Sequence, residues 1–287
     1  MLGDRSRLRG RRPCAPARLA AVLLASTLPA LACAAARAEP VAVTFPGPDG
    51  TMLDGRLYRP AGPGPFPAVV ALHGCGGLFD RTGAPSARHA DWGERLAARG
   101  FVVLFPDSFG SRGLGPQCRV ARRAVRPGRE RVADAQAAGA WLRGRPDVKP
   151  GAVSLLGWSN GGSTVLAAAR AGNGSFDRAV AFYPGCRAPL EHGWRDGTPL
   201  LILVGGADDW TGAEPCRALA EAARARGEQV EITVYPGAVH DFDAPGRPVR
   251  ERRGLAYTVN RDGVAHAGTD PAARADALAR VPASLAR

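Results

Sequence analysis

Five short, uninterrupted apolar runs, at residues 68–72, 102–105, 153–156, 179–182 and 200–204, constrain this chain more than any other feature. A strand with one face in water alternates apolar and polar residues. A run without polar positions needs cover on both faces, as in a parallel sheet sandwiched between helices. Residues 232–235 supply one more candidate strand. Helical stretches lie between the runs, at about 89–99, 129–143, 161–171 and 213–226. Residues 271–287 form an alanine-rich amphipathic helix with Leu278, Val281 and Leu285 along one side. Strand and helix alternate, so the expected architecture is α/β, a mostly parallel central sheet with helices on both faces. Residues 41–45 and 51–58 do alternate, and read as a half-exposed antiparallel pair ahead of that sheet. Residues 60–65, Pro-Ala-Gly-Pro-Gly-Pro, make a loop. Residues 243–270 have little periodicity and read as a long surface loop.

At 287 residues and 45% apolar content, the chain suits one domain with a large core. The first 38 residues stand apart. An arginine-rich stretch to Arg18 precedes an apolar run, 19–36, and Ala36-Arg37-Ala38 places small residues where a signal peptidase inspects them. The run reaches the lower limit of a membrane-spanning helix, but Pro29 and its alanine content weaken it as a permanent span. Cys33 lacks a leucine at the right distance for a lipoprotein site, and Arg11-Arg12 lacks the rest of a twin-arginine signal. The expected organisation is a signal peptide over 1–38 and a single domain over 39–287. The mature protein is then periplasmic or secreted, with no stable membrane span.

Export changes the reading of charge and of cysteine. The formal charge of +12 includes seven arginines and Asp4 in residues 1–38, which leaves 31 basic against 25 acidic residues in the rest. Lys149 is the only lysine, an arginine bias attributable to codon usage. Nucleic-acid binding is not indicated at that balance. The densest basic run, Arg247 to Arg253, interrupted by Glu251, reads as a solvated loop. Cys14 and Cys33 leave with the signal peptide, and Cys75, Cys118, Cys186 and Cys216 remain in an oxidising compartment. Four cysteines allow three pairings. Cys75–Cys118 and Cys186–Cys216 are expected, because each pair falls on loops along the same edge of the sheet.

The strongest chemical signal is Gly157-Trp158-Ser159-Asn160-Gly161-Gly162, between a strand and a helix. A serine on so tight a strand-to-helix turn is lifted above the sheet at a helix N-terminus, where backbone N–H groups favour developing negative charge. A serine hydroxyl needs a base, and the base needs an acid to orient it. His240 follows the last candidate strand, and Asp208 follows the run at 200–204. The chain order Ser, Asp, His is that of the α/β-hydrolase triad. Asp209 is the rival acid, but the spacing of Gly205-Gly206-Ala207-Asp208 favours Asp208 and leaves Asp209 to cap a helix or bond backbone. His266 has no strand before it and reads as a surface or loop-packing residue. The oxyanion hole is expected from the backbone N–H groups of Asn160 and of Cys75, the latter in His73-Gly74-Cys75-Gly76-Gly77. Asp107 ends a strand and is expected to hold backbone N–H groups. Trp158 and Trp210 flank the catalytic candidates as acyl-pocket or core residues. Arg112 is placed to pair with a substrate carboxylate or to form a structural ion pair.

With LHGCGG at 72–77, FPDSFGSRG at 105–113, GWSNGG at 157–162, FYPGC at 182–186, GGADDW at 205–210 and YPGAVHDFD at 235–243, the sequence resembles the dienelactone hydrolase family, in particular its exported members. The resemblance runs from about residue 41 to the C-terminus. It implies an α/β-hydrolase sheet, cleavage of small-molecule esters or lactones without metal or cofactor, and Ser159, Asp208 and His240 as the triad. Dienelactone hydrolases proper use a cysteine nucleophile. Ser159 departs from that pattern and points to a carboxylesterase working through an acyl-enzyme. A peptidase or amidase with the same triad, and a catalytically silent binding protein on the same fold, are the competing readings.

Overall fold

The computed structural model describes residues 39–170 and 175–286. The expected signal peptide, with Cys14 and Cys33, lies outside the described residues. In chain order the elements are β1 (Val41–Pro46), β2 (Met52–Tyr58), β3 (Phe66–Leu72), α1 (Ala87–Ala97), β4 (Val102–Pro106), α2 (Glu130–Arg143), β5 (Val148–Trp158), α3 (Asn160–Ala168), β6 (Ala179–Phe182), α4 (Arg187–Glu191), β7 (Leu200–Gly205), α5 (Glu214–Ala225), β8 (Val230–Tyr235), β9 (Arg250–Arg252), β10 (Ala265–Ala267) and α6 (Pro271–Ala286).

Among the described residues, eight strands form one sheet in the order β1-β2-β4-β3-β5-β6-β7-β8. β1 and β2 pair antiparallel, with Val43 opposite Gly55, and β2 runs antiparallel to β4. From β4 onward every neighbour is parallel. The apolar runs are continuous because both of their faces are covered. In β3, Ala68, Val70 and Leu72 join one core cluster and Val69 and Ala71 the other. The first cluster packs against α2, α3 and α5 through Ala138, Leu142, Val165, Leu166 and Leu219. The second packs against α1 and α6 through Trp92, Leu96, Ala277 and Val281. Truncating a fully buried side chain here, such as Leu155, costs about 2–5 kcal/mol.

Two features depart from expectation. The stretch read as loop, 243–270, contains a two-stranded ribbon in which β9 pairs antiparallel with β10. All three β9 residues, Arg-Glu-Arg, are exposed, so no apolar alternation announces the strand. The single-turn α4 is likewise too short to show a period. Cys75–Cys118 and Cys186–Cys216 are both disulfide-bonded, the expected pairing, although Cys216 lies in the first turn of α5 rather than in a loop. No described helix is long and apolar enough to cross a membrane.

Parallel strands share one C-terminal edge. The turns leaving β3, β5, β6, β7 and β8 therefore bring Cys75, Ser159, Tyr183, Asp208 and His240 to the same rim of the sheet.

Candidate active site

Ser159 sits between β5 and α3 with φ 54° and ψ −112°. Side-chain-bearing residues rarely hold such a backbone, and it persists only where the surroundings enforce it. Enforcement comes from close packing of the turn. A Cβ on Gly161 would lie 2.0 Å from the Leu72 carbonyl oxygen, and one on Gly157 would lie 2.5 Å from that of Gly161. The Ser159 N–H donates to the Phe182 carbonyl at 2.9 Å, and the Ser163 N–H donates back to the Ser159 carbonyl at 2.8 Å.

His240 and Asp208 are both buried, with Nδ1 of the imidazole 2.8 Å from Oδ2 of the carboxylate. An ionised carboxylate only accepts, so Nδ1 carries a proton, and in the neutral ring Nε2 keeps its lone pair. Asp208 is itself held: Oδ1 accepts the Trp210 N–H at 2.8 Å and the Thr211 N–H at 3.0 Å, and Thr211 Oγ1 stands 3.0 Å from Oδ2. Burial works to raise the Asp208 carboxyl, but the facing imidazole and these donors leave it below the usual range. Burial likewise opposes charge on His240, and the Asp208 carboxylate outweighs it, so the imidazole sits above its usual value. The ring is gripped between Tyr183 and Trp210, at centroid distances of 4.4 and 4.6 Å.

Ser159 and His240 line one pocket of about 300 Å³. A second pocket of about 750 Å³ adjoins it and is walled by Ser163, Ala188, Pro189, Tyr257 and Val259. Ser159, Cys75 and Trp210 line both, so the serine stands at their junction. Cys75 is tied to Cys118 by its disulfide and by a 2.7 Å bond from the Gln117 N–H to its carbonyl. Asn160 is the first residue of α3, and its Oδ1 accepts a 2.6 Å hydrogen bond from the buried Arg131. His73, ahead of the Cys75 loop, is a fully buried scaffold residue: Nδ1 donates to the Gly74 carbonyl and Nε2 accepts the Ser108 N–H.

Other candidates lie elsewhere. Asp209 accepts both the backbone N–H and the ring N–H of His266, each at 2.7 Å, and does not orient His240. Asp107 holds the N–H groups of Phe109 and Gly110. For two residues with alternative readings, the structural one matches the contacts. Arg112 clasps the buried Asp134 with two hydrogen bonds, of 2.9 and 2.7 Å, and lines neither pocket. Trp158 is fully buried, stacked between Phe105 and Phe182, and lines neither pocket. Of the three, Trp210 alone borders the pockets.

Sequence reasoning missed a buried polar network behind His240. Arg88 donates to Asp241 and, at 2.6 Å, to the Tyr183 hydroxyl, which donates to Asp243 at 2.5 Å. Asp243 also accepts from Trp92 and Trp158. The only signal was two acids directly after the histidine, in His-Asp-Phe-Asp. Arg88, distant in sequence, carried none.

The fold agrees with that of related chains. The curated Bacillus subtilis protein "Uncharacterized peptidase YuxL" is 24% identical over 260 residues, 76% of this chain, but the chain spans only 38% of that relative's length. "Putative carboxymethylenebutenolidase" of Methylorubrum extorquens is 29% identical over 222 residues, covering 72% of this chain and 73% of the relative. In three dimensions, the chain superimposes on a crystal structure described as "Putative Dienelactone Hydrolase" from Klebsiella pneumoniae with a TM-score of 0.65 at 20% identity, covering 87% of this chain and 99% of the other. That likeness establishes the α/β-hydrolase fold. The sequence profile of the dienelactone hydrolase family matches residues 53–286, and the chain belongs to that family of hydrolases.

Proposed function

We propose that this chain is an exported serine hydrolase that cleaves carboxylic esters through an acyl-enzyme. The observation that carries the reading is the buried His240, anchored through Nδ1 on buried Asp208 and bordering the same pocket as the strained Ser159. His240 Nε2 takes the proton of Ser159 as its oxygen attacks the ester carbonyl. The resulting oxyanion is stabilised by the backbone N–H groups of Cys75 and Asn160. A lost donor of this kind costs about 3–4 kcal/mol in the barrier. The imidazolium hands its proton to the departing alkoxide, and water, activated by the same histidine, then releases the acid.

That proton transfer assigns the two pockets. The leaving alcohol must lie within reach of His240, in the smaller pocket that His240 lines. The acyl chain then occupies the larger one, which His240 does not border. Two disulfides fit the oxidising compartment that a cleaved 1–38 leader would give.

The test is turnover of p-nitrophenyl esters of increasing chain length by wild type and Ser159→Ala, with a fluorophosphonate labelling assay and peptide anilides alongside. Ester turnover and labelling that both vanish in the variant support the reading. Equal turnover by both proteins rules out the nucleophile, and cleavage of anilides alone rules out an esterase.

A further inference from the structure

Eight arginines line the two pockets, against one acid, Asp241. Residues 39–287 carry 31 basic and 25 acidic side chains in all, so the rest of the domain holds 23 against 24. The entire positive excess of the domain is therefore gathered around Ser159. Arginine as a residue type means little in a chain with one lysine; its location is the observation. The basic run that reads as a solvated loop contributes directly, because Arg247, Arg252 and Arg253 all reach the His240 pocket.

Four of the eight are committed. Arg88 and Arg247 pair with Asp241, Arg253 pairs with Glu251, and Arg123 lies over the Tyr257 ring and donates to the Gln117 carbonyl. The other four have no carboxylate partner among the described residues. They are divided by the serine: Arg119 and Arg252 line the leaving-group pocket, and Arg187 and Arg261 line the acyl pocket. All four are exposed, so none is needed to hold the core together. Unpaired guanidinium groups at a cleft mouth draw anions in and bind carboxylate or phosphate with a two-pronged geometry.

From this distribution we infer that the substrate is an ester bearing anionic groups on both sides of the scissile bond, one recognised by Arg119 and Arg252 on the alcohol side, the other by Arg187 and Arg261 on the acyl side. The inference rests on the two-pocket reading of an ester hydrolase and names its substrate class. Both cavities together have room for more than a small lactone.

A factorial series tests it: phenyl butyrate, phenyl hemiglutarate (anionic acyl), 4-carboxyphenyl butyrate (anionic alcohol) and 4-carboxyphenyl hemiglutarate (both). Each rate is divided by that of the same ester in hydroxide. Replacing the alcohol-side carboxylate by phosphonate separates carboxylate from phosphate recognition. In low salt each anion is expected to raise kcat/KM about tenfold, the two gains multiplying, and both are expected to collapse at high salt as screening shortens to a few ångströms. Arg119→Gln/Arg252→Gln should erase the alcohol-side gain and Arg187→Gln/Arg261→Gln the acyl-side gain. Arg170→Gln, outside both pockets, should change neither. Titration of Ser159→Ala with the doubly anionic ester gives a readout without turnover. Salt-insensitive or absent binding there, or equal normalised rates across the series, overturns the inference. Failure of wild type on all four esters, with salt-sensitive binding intact, would instead count against the esterase reading alone.

Discussion

The indole N–H of Trp158 donates a 2.8 Å hydrogen bond to Oδ2 of Asp243. The first residue precedes the candidate nucleophile and the second lies three places after the candidate base, so one buried carboxylate ties the two halves of the site together. Asp243 also accepts from Trp92 at 2.7 Å and from Tyr183 at 2.5 Å, and the Tyr183 ring packs on His240. Asp243→Asn keeps the shape but turns an N–H₂ toward groups that can only donate, or donate preferentially. A buried mismatch of this kind costs about 1–3 kcal/mol, or several degrees in Tm. Because Asp243 reaches His240 only through Tyr183 and lines neither pocket, the expected kinetic signature of a positioning role is a fall of at least tenfold in kcat with KM changed less than threefold, measured well below the transition. A drop in Tm with kcat per folded molecule intact would reduce Asp243 to a structural part.

The two disulfides make a matched pair for separating stability from catalysis. They close loops of 43 and 30 residues, so each contributes about 4 kcal/mol by chain entropy. Only Cys75–Cys118 holds the loop that carries a proposed oxyanion donor. Cys75→Ser/Cys118→Ser and Cys186→Ser/Cys216→Ser should lose similar amounts of denaturant stability. The first should also lose at least tenfold in kcat, and the second less than threefold. Chevron-free equilibrium unfolding and p-nitrophenyl butyrate kinetics on both variants decide it.

Much of the fold and of the candidate site is legible in the sequence, for identifiable reasons. The parallel strands announced themselves because helices cover both of their faces, as the split of β3 between two core clusters makes plain. Ser159, Asp208 and His240 could be named because each follows a strand within a few residues, and strand ends are where a parallel sheet collects its loops. The illegible parts depend on contacts between distant residues. Arg112 stands in a loop near the rim and offers a free guanidinium on paper, but Asp134 of α2 claims it. Trp158 looks like a pocket wall until Phe105 and Phe182 are seen on either side of it. Strand β9 has no apolar face to betray it, and it carries Arg252 to the pocket, which makes a run that looks like solvated loop part of the site.

The His240–Asp208 contact makes opposite demands on stability and activity. Asp208 favours the protonated ring, and the imidazole lies above its ordinary 6.5. The raised value means that the contact stabilises the fold fully below about pH 6.5, and that this contribution is lost as pH rises through the folded value. The proposed mechanism needs the neutral ring, so kcat/KM should rise with pH along an acid limb whose midpoint lies above 6.5. Asp208→Asn removes the raising partner. Its limb should shift down while kcat falls roughly 10³- to 10⁴-fold. A limb below 6.5 in wild type, or one unmoved in the variant, would dissociate the pair from the chemistry.

The assignment of acyl chain and alcohol to separate pockets is open to direct steric test. Ala188, on α4, is exposed and borders only the larger pocket, so a bulky residue there meets solvent rather than core. Ala188→Trp should leave Tm nearly unchanged, because surface substitutions of this kind usually alter stability by about 0.5 kcal/mol or less. It should narrow the space for the acyl chain. Octanoyl esters are then expected to lose at least tenfold in kcat/KM relative to acetyl esters of the same alcohol. Acetate esters of progressively larger alcohols should keep their wild-type order, since their leaving groups depart past His240 on the other side of Ser159. The reverse pattern, in which the variant discriminates by alcohol size and ignores acyl length, would exchange the two pockets, and with them the sides on which Arg119 and Arg187 meet the substrate.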